Sequence, residues 1–302
     1  MHIAVLCSPE SWYLKDLRRA AAEQIEITPL TFRQLAADVG PAGQRFSSGD
    51  GDLAHVDAVL VRTMPPGTLE QVVFRMDVLG RLEAAGKVVI NPARAVEAAV
   101  DKYLASAKLA QSGLRTPRTF VCQTVDDALQ AFEQLGGDVV LKPLFGAEGR
   151  GIARLNDEAL AQRAFSLLAQ LGAVLYVQEF IPHDGYDLRV LVVGERMWAM
   201  RRRNPLDWRT NVSRGATAEP VELTPELADL ARRAADAIGA PLAGVDLLPG
   251  RDRQLYAIEV NAVPGWQALA RTLDVDIAGH VLQYVASRVR SQDKRIAKSE
   301  SP

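Results

Sequence analysis

Cysteine is scarce in this sequence. The 302 residues include 2 cysteines, Cys7 and Cys122, which lie far apart and outside any CxxC or Cys/His cluster. We therefore expect neither a disulfide framework nor a cysteine-based metal site, and we predict a cytoplasmic protein. Long apolar runs are missing too, because nowhere do about 18 apolar residues follow one another without interruption. The segment to Glu10 also lacks a basic stretch before an apolar run, so neither a membrane span nor a secretion signal is expected.

An excess of charge of one sign is absent as well. Lys and Arg total 35 against 37 Asp and Glu, which leaves a formal net charge of -2. No overall field attracts nucleic acid or an anionic membrane, and we predict neither partner. Apolar residues make up 48% of the chain and charged residues 24%, so it can bury a sizeable core. Its length suits about two domains.

The hydrophobic pattern divides the chain near Asn91. Before it, short apolar runs alternate with helical patterns, which is typical of a parallel sheet with crossover helices. Residues 38–52, rich in Gly, Ser, Asp and Pro, are predicted to be a loop. Residues 93–111 predict one helix that ends at Gly113. Later strands favour antiparallel pairing, and the polar tail 291–302 is expected to be disordered.

A glycine-rich stretch, GAEGRG at 146–151, lies between two predicted strands, the first of which ends in Leu141-Lys142-Pro143. Glycines let backbone N–H groups approach phosphate oxygens, and the upstream lysine adds positive charge. A P-loop or a dinucleotide fingerprint would require a helix directly after the glycines, and neither fits. The order of strand, glycine loop and strand favours a flap over a nucleotide. A tight hairpin without a ligand is the alternative.

Three oxygen-bearing side chains recur on two late strands. Asp246 lies on one strand, and Glu259 and Asn261 end the other. Residues two apart on a strand share a face, and hairpin pairing can bring Asp246 beside them. Magnesium prefers such oxygen ligands. A solvated acidic face is the alternative, although both carboxylates interrupt apolar runs, where charges need partners.

Two further segments add nucleotide-binding chemistry. The backbone of Gln178-Glu179-Phe180-Ile181 could hold an adenine edge, with a core segment as the alternative. A basic series follows, and we expect one or two of its members to stabilise a phosphoryl group or bind a carboxylate, while the others are solvated. The series comprises Arg189, Arg201, Arg202, Arg203, Arg209 and Arg214.

In this order, the stretches resemble ATP-grasp ligases of the RimK-type alpha-L-glutamate ligase family, from about Asn91 to Val289. The matching stretches are Asn91-Pro92, Asp101-Lys102, VLK at 140–142, GAEGRG at 146–151, QEFI at 178–181, DLR at 187–189, RTN at 209–211, RGA at 214–216, AGVDLL at 243–248 and EVNAVPG at 259–265. As a set they are far more specific than any one of them alone.

This resemblance implies a mixed α/β and α+β architecture, the ATP-grasp fold. It predicts an N-terminal α/β domain over residues 1–91 and an ATP-grasp domain over residues 92–290. Within the second domain it predicts a central lid over about 115–182 and a C-terminal subdomain with an antiparallel sheet over about 183–290. ATP would lie between the lid and that sheet.

The same resemblance implies the roles of individual residues. Those expected to bind ATP are Lys102, Lys142, Gly146, Gly149, Gly151, Gln178, Glu179, Phe180, Ile181 and, near the ribose, Asp187. Those expected to bind two Mg2+ or Mn2+ ions are Asp246, Glu259 and Asn261. Those expected to stabilise the reacting phosphoryl group are Arg209, Asn211 and Arg189.

The implied reaction activates a carboxylate as an acyl phosphate and joins it to an amine, with L-glutamate as one substrate. The stretches KPLFG at 142–146 and GWQAL at 265–269 resemble the tetrahydromethanopterin:glutamate ligase branch, so a small pterin-like acceptor is the leading interpretation. A protein C-terminus or an amino-acid carrier protein is the alternative acceptor. The acceptor pocket is expected near Trp266 and the N-terminal domain, with Trp208 as a second candidate for its lining.

Two functions of other classes stay open at this point. One is a phosphotransferase that stops after phosphorylating its substrate, and the other is an ATP-binding regulatory module without catalysis. The expectation of a homo-oligomer rests on the resemblance alone. Product analysis separates the first function from a ligase, and ATP binding without turnover would indicate the second.

Overall fold

The computed structural model describes residues 1–41, 43–146, 149–210 and 215–299, and it begins with a parallel sheet. The sheet has the order β2-β1-β6-β7. Its strands are β1 (His2–Leu6), β2 (Glu26–Leu30), β6 (Ala58–Val61) and β7 (Val88–Ile90), with helices α1 (Trp12–Ala20) and α2 (Leu69–Ala84). The alternating pattern in the sequence predicted this arrangement, and the buried apolar strands explain it.

Residues 38–52 form strands, so the prediction of a loop was wrong. A small antiparallel sheet contains β3 (Leu35–Gly40), β4 (Gly43–Ser48) and β5 (Gly51–Asp52). Gly40 pairs with Gly43 at the turn. The glycines therefore mark the turn between two strands, and Phe46, which is 8% exposed, anchors the sheet to the core.

Residues 93–111 form two helices where one was predicted. Helix α3 (Ala93–Val100) ends at Asp101, and α4 (Lys102–Gln111) begins directly after it. The Asp101 carboxylate accepts a hydrogen bond from the Leu104 backbone N–H at 3.0 Å, which caps α4. The break places Lys102 in the first turn of a new helix.

The central segment forms an antiparallel sheet of the order β10-β9-β11-β8, with its helices packed on it. The elements are β8 (Thr119–Cys122), α5 (Val125–Gln134), β9 (Val139–Lys142), β10 (Ala153–Leu155), α6 (Glu158–Gln170) and β11 (Leu175–Glu179). The buried cluster that joins them draws its members from this segment alone, among them Phe132 and Phe165. We call this segment the lid.

The C-terminal part contains an antiparallel sheet of the order β14-β13-β12-β15-β16. Its elements are β12 (Tyr186–Val193), β13 (Arg196–Arg203), β14 (Thr217–Pro220), α7 (Pro225–Ile238), β15 (Leu242–Pro249), β16 (Leu255–Asn261), α8 (Gln267–Leu273) and α9 (Ile277–Ser299). Strand β14 and helix α8 were not predicted. Helix α9 continues through 291–299, where disorder was expected.

The N-terminal sheet and the C-terminal sheet share their buried core. One buried cluster joins Ile3 and Leu60 of the N-terminal sheet to Leu191 and Leu242 of the C-terminal sheet. Asn91, at the predicted boundary, is 0% exposed and donates to the backbone oxygens of Leu242 and Ala262. The two sheets are thus held together by packing and hydrogen bonds. In the described chain, no helix combines the length and apolar character needed to cross a membrane.

Candidate active site

Antiparallel pairing of β15 with β16 brings the predicted metal ligands together. Asp246 lies opposite Glu259, and Asn261 follows two residues later on the same face. The Asn261 side-chain oxygen accepts a hydrogen bond from the Val263 N–H at 2.8 Å. Alternation along the strand thus collects two carboxylates and one amide.

Asp246 is also the centre of a buried charge network. It is 2% exposed, and Arg189, opposite it on β12, donates to both of its oxygens, with 2.7 Å from Nη2 to Oδ2. Arg202 of β13 lies between the carboxylates of Asp246 and Asp187, with its Nη2 2.9 Å from Asp246 Oδ2. Burial alone would raise the pKa of Asp246, but Arg189 and Arg202 hold this pKa below its usual value.

Two predicted site residues lie inside this network. The Arg189 guanidinium, expected to stabilise the phosphoryl group, donates to both Asp246 oxygens. Asp187, expected near the ribose, is 1% exposed and accepts from Arg202 and the Thr210 hydroxyl. Contacts of these two residues with ATP stay predictions.

Carboxylate and amide oxygens are the types of ligand that a divalent cation such as Mg2+ binds. Within the described residues, no cluster holds three or more of His, Cys, Asp and Glu, so the set is the two carboxylates and the Asn261 amide. Glu259 is only partly buried and lies near the charges of Lys102 and Lys142. Of the two carboxylates, Glu259 is therefore the more exposed, whereas both Asp246 oxygens are bound by arginines.

Two lysines from different elements face Glu259. Lys102 Nζ, at the start of α4, donates to the Gly146 oxygen at 2.8 Å. Lys142 Nζ, at the end of β9, donates to Gln178 Oε1 at 2.7 Å. Burial lowers the pKa of Lys102, and it lowers the pKa of Lys142 to about 8, while Glu259 opposes both shifts. This arrangement offers positive charge to an anion between the lid and the sheet.

The glycine-rich stretch turns between β9 and β10, whose pairing places Leu141 opposite Ala153. Gly149 and Gly151 have φ values of 68° and 70°, which side chains rarely adopt. Residues 147 and 148 lie outside the described residues. Because Lys102 holds the Gly146 carbonyl, the predicted flap is linked to helix α4.

The segment predicted to bind adenine makes internal contacts. The Gln178 amide donates to the Thr119 hydroxyl at 2.9 Å and accepts from Lys142, so this side chain positions the lysine. The N–H groups of Glu179 and Phe180 donate to the carbonyls of Arg118 and Asp138. These two N–H groups are therefore not available to adenine, and Ile181, 9% exposed, stays a predicted contact.

The two tryptophans considered for the acceptor pocket lie in different places. Trp208 packs edge-on against Phe180 beside a cleft of about 760 Å³ that His183 and Asn204 also line. Trp266 is 0% exposed and packs against the N-terminal domain. Trp266 is thus covered by other residues in this structure, and an acceptor pocket beside it stays a prediction.

Arg209 lies in the loop that follows β13. Its Nη2 is 2.7 Å from Asp207 Oδ2, and its Nη1 donates to the Ile152 oxygen of the flap at 3.4 Å. Asn211 and Arg214, also predicted site residues, lie outside the described residues. The adjacent Thr210 hydroxyl donates to Asp187, which ties this loop to the buried network.

Sequence reasoning missed the structural importance of Arg202 and Thr210. A signal for Arg202 was present, because counting outward from the Gly194-Glu195 turn pairs Asp187 with Arg202. The contact of Thr210 arises from the path of a loop, which periodicity does not describe.

Comparison with known proteins agrees with this architecture. Residues 99–285 match the family described as the RimK-like ATP-grasp domain. The chain is 31% identical to tetrahydromethanopterin:alpha-L-glutamate ligase of Methanosarcina acetivorans, over 93% of this chain and 97% of that protein. It is 32% identical to the probable alpha-L-glutamate ligase of Citrobacter koseri, over 94% of this chain and 95% of that protein. The chain therefore belongs to the RimK-like ATP-grasp family.

Solved structures share the fold. The ATP-grasp ligase PsnB, complexed with a minimal precursor, Mg and ADP, has a TM-score of 0.74 at 22% identity, over 95% of this chain and 97% of PsnB. The RimK domain protein ATP-grasp from Sphaerobacter thermophilus has a TM-score of 0.73 at 24% identity, over 94% of this chain and 99% of that one. The predicted ATP-grasp fold is thus confirmed, and the chain is an ATP-grasp ligase, a class that uses ATP and Mg2+.

Proposed function

We propose that this ligase joins L-glutamate to a small carboxylate-bearing acceptor through an acyl phosphate. The observation that carries the proposal is the convergence of Lys102, Lys142 and Glu259 between the lid and the C-terminal sheet. Two cations beside a carboxylate suit a polyphosphate bound together with a divalent cation.

The residues divide into two groups in this proposal. The lysines and the flap, with Gly146, Gly149 and Gly151, would bind the ATP phosphates. Gln178, Glu179, Phe180 and Ile181 would hold adenine, and Asp187 would lie near the ribose. Asp246, Glu259 and Asn261 would hold Mg2+ or Mn2+, with two ions as the expected number. The bound metal would neutralise phosphate charge, and Arg189 and Arg202 keep Asp246 ionised for that purpose.

The reaction has two steps. A carboxylate oxygen of the acceptor attacks the γ-phosphorus of ATP, and the bond to the ADP oxygen breaks. The amine nitrogen of glutamate then attacks the acyl carbon, loses a proton and releases phosphate, which leaves an amide. Positioning and charge neutralisation supply most of such a rate enhancement. Arg209 and Asn211 would stabilise the transferring phosphoryl group, and the flap would exclude water.

The substrate assignment rests on the named relatives. The Methanosarcina acetivorans protein is named for tetrahydromethanopterin and glutamate, and the Citrobacter koseri protein for glutamate. A pterin-like acceptor is therefore the leading candidate. A protein C-terminus and an amino-acid carrier protein are the alternatives, and the PsnB structure holds a minimal precursor. We also propose a cytoplasmic location, supported by the free thiols of Cys7 and Cys122, and homo-oligomerisation.

The test is phosphate release from Mg-ATP with L-glutamate, varying the second substrate across a pterin, a short glutamate-ended peptide and a blank. Mass spectrometry follows each mixture. We expect a gain of one glutamyl unit on one acceptor, and we expect Glu259→Gln to reduce the rate by at least about 100-fold because the ion loses a charged ligand. The exposed Glu222→Gln is the matched control and keeps the rate.

Three outcomes would contradict the proposal. A stable phosphorylated product without an amide would indicate a phosphotransferase. Tight ATP binding without turnover on every substrate would indicate a regulatory module. Near-normal activity in Glu259→Gln would reject the metal assignment.

A further inference from the structure

Arg62 lies at the carboxyl edge of the parallel sheet, directly after β6. Its backbone N–H donates to the Leu6 oxygen at 2.9 Å, so it sits beside Cys7, which follows β1. The sheet order reverses between β1 and β6, because β2 lies on one side of this pair and β7 on the other. Ligands of α/β sheets bind at this kind of position.

The Arg62 side chain packs against two aromatic rings that also contact each other, with their ring centres 4.9 Å apart. Its guanidinium carbon lies 4.1 Å from the Trp266 ring centre and 4.8 Å from that of Tyr13. The residue is 6% exposed. Nη2 donates to the Pro264 oxygen at 2.7 Å, which fixes the plane of the guanidinium.

Two of its nitrogens lack an acceptor. Among the described residues, no oxygen or nitrogen accepts from Arg62 Nε or Nη1. Burial lowers the pKa of Arg62 to about 10, opposed by the nearby Tyr13 and Cys7, so the side chain stays a cation at neutral pH. A buried cation without a counter-charge is costly, and a partner anion would remove much of that cost.

The geometry of the unused donors selects the partner. A guanidinium presents its N–H groups in one plane, in which Nη2 shares one edge with Nε and another with Nη1. Nη2 has two hydrogens and gives one to Pro264, so a carboxylate can accept from its other hydrogen and from the unused donor on that edge. Tyr13 is partly exposed at the start of α1, and a ligand would reach this edge by displacing the Tyr13 ring.

Arg62 is also adjacent to the metal strand. Pro264, its hydrogen-bond partner, follows β16, which carries Glu259 and Asn261. A Cβ added to Gly244 would lie 3.0 Å from Pro264 Cβ and 3.1 Å from Arg189 Nη1. Pro264 is therefore close both to Arg62 and to the Arg189 side chain that binds Asp246. A molecule anchored at Arg62 could extend to the reacting centre.

We propose that Arg62 binds a carboxylate of the amino-acid substrate whose amine reacts at the metal strand. The proposal deepens the function proposed above and rests on it. In this arrangement an N-terminal residue binds the amino-acid substrate, and the lid and the C-terminal sheet bind the nucleotide.

The test measures binding of L-glutamate by calorimetry in the presence of Mg2+ and ADP. The variants are Arg62→Met, Arg62→Lys, which keeps the charge without the fork, and Arg75→Met as the control. Arg75 is similarly buried at 7%, lies over the Phe32 ring and donates to the Pro65 oxygen, so it controls for the loss of a buried arginine that packs on an aromatic ring.

We expect L-glutamate to bind Arg62→Met about 10- to 100-fold more weakly than wild type. Arg62→Lys should show an intermediate loss, and Arg75→Met none, while ADP affinity should stay unchanged in all. L-glutamine and the α-amide of glutamate each lack one carboxylate. One of these two amides lacks the carboxylate that Arg62 binds. That amide should bind to wild type and to Arg62→Met with equal affinity.

Three results would overturn the proposal. The first is unchanged glutamate affinity in Arg62→Met, and the second is no binding of glutamate to wild type. The third is an equal loss of glutamate and ADP affinity in both Arg62 variants, which would indicate a purely structural role. Failure of the proposed function has a different signature, namely the absence of a glutamyl mass gain in wild type.

Discussion

Lys142 is a lid residue that lies at the proposed phosphate site. It is buried at the end of β9, and only the Gln178 side-chain oxygen, among the described hydrogen bonds, accepts from its Nζ. The neutral acceptor and the nearby Glu259 compensate the cost of burying the ammonium only in part, and burial therefore lowers the pKa of Lys142 to about 8. A phosphate placed beside it would favour the charged form.

The affinity for Mg-ATP should accordingly depend on pH. Below about pH 8 Lys142 is already protonated, whereas above this pH the free protein loses the proton and must take it up again to bind phosphate. We expect affinity to fall by up to about tenfold per pH unit above that point. Calorimetric titration between about pH 7 and pH 9.5 would measure it.

Substitution of Gln178 should shift the pH at which the affinity for Mg-ATP begins to fall. Gln178→Glu places a carboxylate beside the ammonium and raises the pKa of Lys142, so the decline in affinity should begin at higher pH. Gln134→Glu adds the same charge at an exposed position at the end of α5 and should leave the profile unchanged. A flat wild-type profile, or an identical profile in Gln178→Glu, would reject Lys142 as a phosphate contact.

At the scale of elements, patterns in the sequence predicted most helices and strands. The lid strands and the amphipathic helix α7 follow directly from their periods and from the Thr224 and Gly239 caps. The β3–β4 hairpin was missed because its turn glycines were weighted as loop composition. The break before Lys102 was missed because Asp101 was not interpreted as a helix cap.

Site contacts were predictable only where they are local in sequence. Glu259 and Asn261 follow from the two-residue period of β16, and Asp187 with Arg202 follows from the register of a tight hairpin. The pairing of Arg189 with Asp246 joins strands that the intervening β13, β14 and α7 separate along the chain. Such non-local register depends on how whole elements pack, which the sequence pattern does not encode directly.

The α4 cap gives a test at this scale. Asp101→Ala removes the acceptor for the Leu104 N–H and should destabilise the protein by about 1 kcal/mol. It should also weaken Mg-ATP binding by about 3- to 10-fold, because Lys102 lies in the first turn of α4 and loses the cap that holds this turn in place. Urea unfolding and ATP titration would measure the two effects.

A second cap serves as the control for that variant. Thr224 caps α7, away from the lysines, by accepting from the Leu227 N–H at 3.3 Å. Thr224→Ala should lower the free energy of unfolding by a similar amount and leave ATP affinity unchanged. Equal ATP affinity in both variants would show that the start of α4 does not position Lys102.

For the whole molecule, the distribution of the core predicts which parts move together. The lid has its own buried cluster around Phe165, whereas the N-terminal and C-terminal sheets share theirs. Contacts that cross between units resist relative motion, and a unit with a separate core can open by itself. We therefore expect the lid to be the independent unit.

Hydrogen exchange followed by mass spectrometry would test this expectation. Phe165→Ala should destabilise the lid by about 3–5 kcal/mol and speed amide exchange by at least about tenfold in β9 and β11 alone. Leu60→Ala, in the shared core, should speed exchange in both the N-terminal and C-terminal sheets. Uniform acceleration throughout the chain in Phe165→Ala would show that the lid does not open independently.

Asn91 has a consequence for the range of substrates. Its side chain bonds to the chain at the beginning of β15 and just after β16, the two strands that carry Asp246 and Glu259. Asp246 and Glu259 are thereby held at a fixed distance from the N-terminal sheet. A substrate anchored on that sheet, as proposed for Arg62, would reach the proposed metal site only if its length matched this distance. We therefore expect the Asn91 junction to restrict substrates by length.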